Sequence, residues 1–87
     1  MRFVARVLVR PKGEVRDPQG EAVLAALRSL GHDVTEVRTG KEIVVSFEAT
    51  DEGAARAAAA RMGDQLLANP VIEEFEVDVE RQVATAT

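Results

Sequence analysis

The side chains able to do chemistry in this sequence are few and scattered. Its single histidine, His32, stands beside Asp33, and the two serines, Ser29 and Ser46, fall in different segments. A Ser-His-Asp set makes a nucleophile only when a cleft and oxyanion donors surround it, and His32-Asp33 after Gly31 reads as a turn. Carboxylates recur at Glu73, Glu74, Glu76, Asp78 and Glu80, a density that could serve cation binding or acid-base work. Their alternation instead describes one solvated or arginine-paired face of a strand. Arg10, Lys12 and Gly13 precede a helix start and could hold an anion, but they lack the glycine spacing of a phosphate loop. No catalytic, cofactor-binding or metal-ligating residue is assigned.

The chain has 87 residues, one domain's worth. A chain this small buries only roughly 60 to 65% of its unfolded surface. Help from a partner is expected, and because there are no cysteines neither disulfides nor thiolate metal sites can give it. Oligomerisation is the remaining route, and a reducing cytoplasm is the expected compartment. No apolar run nears the ~20 residues of a membrane span. A formal charge of −4 with only three aromatic residues argues against a nucleic-acid surface.

The elements that must carry these residues follow from periodicity. Phe3, Ala5, Val7 and Val9 alternate with Arg2, Arg6 and Arg10, predicting a half-buried strand. Asp17 is placed to cap a helix, Pro18 to open it and Glu21 to complement its positive end. Val23, Ala26, Leu27 and Leu30 form a stripe at helical spacing expected to face the core, and Gly31 ends the helix. Gly20, inside the first turn, runs against helix propensity.

His32 to Arg38 and Glu42 to Ala49 are strand-like, leaving a hairpin or one long bent strand open. Thr50 is the expected cap of a second helix whose inner stripe is Ala55, Ala59, Met62 and Leu66, stopped at Asn69 and Pro70. Phe75, Val77 and Val79 define a last strand. The reading is α+β: a βαβ(β)αβ sandwich of the split βαβ type, with a largely antiparallel sheet and two helices on one face. The domain spans 1–80, with 81–87 expected to be a mobile tail. The arginine row of the first strand should lie beside the acidic row of the last, since opposite charges favour cross-strand pairing.

Four pieces in order carry a resemblance: DPQGEAV at Asp17 to Val23, Leu30-Gly31, V-R-x-G-K at Val37 to Lys41, and LLANPVIE at Leu66 to Glu73. Together they closely resemble PurS, the small subunit of phosphoribosylformylglycinamidine synthase. The likeness covers nearly the whole chain and departs at the charged insert Lys12 to Arg16 and at the acidic segment Glu74 to Glu80. It implies a non-catalytic accessory subunit in purine synthesis, a homodimer that brings a glutaminase subunit together with a large synthetase subunit. ATP and magnesium would belong to the synthetase, with no cofactor in this chain.

Within that resemblance, Asp17, Gln19, Gly20, Arg38, Lys41 and Asn69 are the expected partner-facing residues. Gly20 is expected to permit close approach of a partner, so that Gly20→Ala would leave the isolated protein as stable or more so. Val4, Leu8, Val44 and Ile72, assigned to the helix-free face, are the expected dimer contact. The rival reading is a small-ligand regulatory domain of ferredoxin-like architecture, since fold alone does not fix function.

Overall fold

The computed structural model describes residues 1–82. Strand β1 (Arg2–Pro11) is followed by helix α1 (Pro18–Ser29), strand β2 (Lys41–Glu48), helix α2 (Glu52–Met62), one π-helical turn (Gly63–Leu67) and strand β3 (Glu73–Arg81). The sheet has the order β2-β1-β3 and is antiparallel throughout. First and last strands are neighbours, as the charge pattern requires. The class is the expected α+β one, with both helices on one side of the sheet. β3 runs one residue into the segment expected to be a tail, and 83–87 of that tail lie outside the described residues.

The alternation of β1 decides which side is the core. Phe3, Ala5, Val7 and Val9 are all buried, and the register sets Val45 and Val79 beside Ala5, and Ile43 and Val77 beside Val7. Helix α2 packs over β1 and β3 through Ala55 and Ala59, both fully buried, which let its backbone approach the sheet closely. Phe3, Ala5 and Val79 meet those alanines at one end of the core, while Val7, Val9 and Ala68 fill the other with Leu67 and Phe75 against them.

Three local expectations are corrected. Residues His32 to Arg38 form no strand: Val34 and Val37 lie on opposite faces of any extended pairing, and the segment is held by side chains, with Arg28 donating to the Val34 carbonyl at 3.0 Å. The cap of α2 is Asp51, not Thr50, because the Asp51 carboxylate reaches the Ala54 amide at 2.8 Å. The α2 stripe breaks after Met62, leaving Leu66 83% exposed. There the Ala68 amide donates to the Gly63 carbonyl at 3.0 Å, a five-residue repeat that rotates Leu67 and Ala68 inward in place of Leu66. Gly63 makes that turn possible, since a Cβ there would lie 2.3 Å from the Phe75 ring.

Helix α1 begins and ends as its sequence prescribes. Asp17 caps it, Pro18 opens it, and Gly31 with φ +93° closes it while its amide and that of His32 satisfy the carbonyls of Arg28 and Leu27. Its apolar stripe, however, is not in the core. Val23 is 38% and Leu30 76% exposed, Gly20 is the only buried residue of the helix, and α1 has no extensive contact with any strand or with α2. The molecule is accordingly flat and long, 48 × 37 × 15 Å with a radius of gyration of 16.8 Å, against about 12 Å for a compact chain of this length.

Gly63→Ala should destabilise the protein by about 1 to 3 kcal/mol, the usual cost of forcing atoms into packed space. Urea denaturation should show a lower midpoint with an unchanged slope.

Candidate partner interface

The motif residues converge on one end of the molecule, where the loop after β1, the start of α1 and the segment entering β2 meet. Asp17 is the hub. Besides accepting the Gly20 amide at 3.0 Å, its carboxylate accepts the Thr39 amide at 2.6 Å and the Thr39 hydroxyl at 2.8 Å. The Thr39 amide foremost, then that of Gly20 and the Thr39 hydroxyl, hold the Asp17 carboxyl below the usual carboxylate range; partial desolvation opposes this, and the nearby Arg38 charge supports it. The helix cap is thus also a clasp on a segment 22 residues away.

Arg38 completes the clasp from the other side. Its guanidinium donates to the carbonyls of Lys12 at 2.9 Å and Val15 at 3.0 Å, fastening the charged insert to the strand entry. Gly20 sits between the two ties. A Cβ on it would lie 2.5 Å from the Val37 carbonyl and 2.5 Å from the Asp17 carboxylate. The close approach that its glycine permits is therefore by its own chain, which reverses the stability effect expected from the sequence.

Asn69 is likewise engaged locally. Its side chain accepts the Val71 amide at 3.0 Å, its carbonyl accepts the Glu73 amide at 2.7 Å, and the Asn69 amide in turn donates to the Glu73 carboxylate at 2.8 Å. Lys12 ties this turn to the end of β1 through its backbone amide to Ile72 and its ammonium to the Pro70 carbonyl. Of the six expected partner-facing residues, four hold the chain together. Gln19 and Lys41 are exposed, make no side-chain hydrogen bond among the described residues, and line a shallow depression of about 260 Å³ with Pro11, Thr39 and Glu73.

The helix-free face carries a second group. Val4, Leu8 and Val44 lie together there, as expected, whereas Ile72 is in the turn before β3. They are interleaved with charge: Arg6 pairs with Glu80 at 3.3 Å, Arg2 with Glu48 at 3.6 Å, and Arg10 with Glu74 at 3.5 Å and with Glu76. Glu76 raises the Arg10 pKa, so that cation is permanent. All these pairs are solvent-exposed, and such pairs contribute little stability. Their consequence is a face with a small apolar centre and an acidic margin.

Chemistry of the side chains themselves has no centre. His32, Asp33 and Ser29 are exposed near the end of α1, and Ser46 is exposed on the helix-free face. Among the described residues no three or more of His, Asp and Glu are grouped to hold a metal ion.

Comparison with known proteins decides the family. The profile of PurS, phosphoribosylformylglycinamidine (FGAM) synthase, matches residues 4–81. The chain belongs to the PurS family. It is 46% identical over 74 residues to phosphoribosylformylglycinamidine synthase subunit PurS of Synechocystis, covering 84% of this chain and 74% of that one. Thermus thermophilus PurS superposes with a TM-score of 0.89 at 38% identity, covering 95% of this chain and all of the other. A chain of PurLQS from Thermotoga maritima gives a TM-score of 0.84 at 34% identity, over 92% and 99%.

Sequence reasoning found the motif residues but missed Thr39, which receives the Asp17 carboxylate, and missed that Leu30 and Leu66 are open. The signal for Thr39 was its place between Arg38 and Gly40 in the V-R-x-G-K stretch. For the leucines, helical spacing names an apolar face without saying what, in the fold, lies against it.

Two outcomes follow from the clasp. Gly20→Ala should lower stability by about 1 to 3 kcal/mol through the Val37 carbonyl clash, seen as a lower urea midpoint. Because the folded Asp17 pKa is depressed, its contribution is complete above the unfolded aspartate value near 4 and is lost as pH falls below it. Asp17→Asn should be less stable than the parent at neutral pH and converge towards it as pH falls below the unfolded aspartate value, read from denaturation midpoints at successive acid pH values.

Proposed function

We propose that this chain is the non-catalytic accessory subunit of a phosphoribosylformylglycinamidine synthase, joining a glutaminase subunit to an ATP-dependent synthetase subunit in cytoplasmic purine synthesis. The observation that carries the reading is membership of the PurS family along residues 4–81. What the chain offers besides is surface: Asp17, Arg38 and Asn69 are spent on tying loops, while apolar and polar side chains stand open on both sides of the sheet. In this reading the chain acts as a homodimer, supported by a core too small to engage α1 and by Leu30, Leu66 and Val44 left in water.

Gln19 and Lys41 are proposed as the point where a partner subunit is engaged at the clasp. They are the two of the six expected partner-facing residues whose side chains make no hydrogen bond among the described residues. The matched relatives are PurS subunits, which sets the ligand-binding regulatory alternative aside.

Reconstitution tests the reading. Adding the chain to the synthetase and glutaminase of its host should restore glutamine-dependent product formation and change ammonia-dependent formation less. Glutamine hydrolysis by the purified chain alone would overturn it. Combining Gln19→Ala with Lys41→Glu should weaken co-elution with the partner subunits while leaving the thermal midpoint within about 0.5 kcal/mol equivalent of the parent, as exposed substitutions do.

A further inference from the structure

Two depressions share the residues 39–41 that lead into β2. One is the shallow depression that holds Gln19; the other, of about 340 Å³, is lined by Arg10, Arg38, Thr39, Gly40, Lys41 and Glu42. That volume lies at the small end of the roughly 300 to 1,000 Å³ of ligand sites. In a chain of formal charge −4, this lining sets three cations against one carboxylate.

The cations differ in how far the fold uses them. Arg10 shares its charge with Glu74 and Glu76. Arg38 is held by neutral groups: all three of its bonds leave from Nη2, to the carbonyls of Pro11, Lys12 and Val15 at 3.5, 2.9 and 3.0 Å. Its Nε and Nη1 donors have no acceptor among the described residues, and neither is enclosed, since no unpaired side-chain donor is buried there. The carbonyls fix the guanidinium without neutralising it. Lys41 brings three more donors, and among the described residues neither it nor Arg38 has a carboxylate within ion-pair distance. Asp17, which feels the Arg38 charge, spends its oxygens on Gly20 and Thr39.

Gly40 brings these groups to the strand. A Cβ on it would lie 2.6 Å from the Val9 carbonyl and 3.3 Å from the Arg10 Cβ, so the segment 38–41 lies close against β1 and Arg10 closes the depression. A braced guanidinium beside a mobile ammonium suits an oxyanion, the first by fixed geometry and the second as a point charge. Donors on separate side chains favour a ligand with acceptors in several directions, which tetrahedral phosphate has and a planar carboxylate lacks.

We propose that this depression binds a phosphate group, free or as a monoester, on the Nε and Nη1 donors of Arg38 and the ammonium of Lys41. It is not the anion site that the sequence suggested: Lys12 is committed to the Pro70 carbonyl, and Gly13 does not line the depression. The binding requires no partner subunit, so it stands or falls apart from the accessory-subunit reading.

The test is amide-resolved NMR of the labelled full chain, titrated with inorganic phosphate near neutral pH at constant ionic strength. Saturable shifts at Arg38, Gly40 and Lys41 are expected, and Lys41→Gln should raise the dissociation constant about tenfold, the loss of one charge-assisted bond. Glu42→Gln should tighten binding about twofold by removing the opposing charge, whereas Arg61→Gln, on α2, should leave it unchanged. Glycerol 2-phosphate shifting the same amides assigns a monoester; shifts with inorganic phosphate alone assign the free anion. Shifts that do not saturate, equal weakening by Lys41→Gln and Arg61→Gln, or acetate binding as tightly as phosphate would each overturn the site.

Discussion

The carboxylate of Asp17 decides where α1 can be, and much of the molecule depends on that. A helix cap normally serves its own first turn, and here the same group also accepts from both donors of Thr39. The tie converts two loops and a helix into one rigid branch of the sheet.

That arrangement explains how a core of small residues suffices. Ala5, Ala55, Ala59 and Ala68 bring α2 and its π-turn close to the sheet, and Gly63 lets the Phe75 ring lie under the turn. Close approach gives dense packing over a narrow area, at the expense of width. The flank over β2 stays uncovered as a direct result, because a helix seated that low over β1 and β3 does not reach it.

What could be read from the residues divides along a physical line. The strands were legible because period-two alternation in Phe3 to Val9 and Phe75 to Val79 names both an element and its buried face. The ends of α1 were legible because Asp17, Pro18 and Gly31 act within a few residues of themselves. The partners of Asp17 and Arg38 were not, since both bonds span 22 or more residues and carry no local pattern. The fate of the α1 stripe was misjudged for a related reason: amphipathicity names an apolar face and is silent on what lies against it. The break in the α2 stripe was visible only as a glycine, Gly63, whose need becomes clear once Phe75 is known to lie against it.

The acidic row of β3 has one more consequence. β3 is an edge strand, and its outer backbone groups are open to pairing with another strand. Glu74, Glu76, Asp78 and Glu80 stand at alternate positions along it, so a second β3 arriving edge to edge would set a row of carboxylates against its like. At neutral pH this is a guard against fibre-like growth through the sheet.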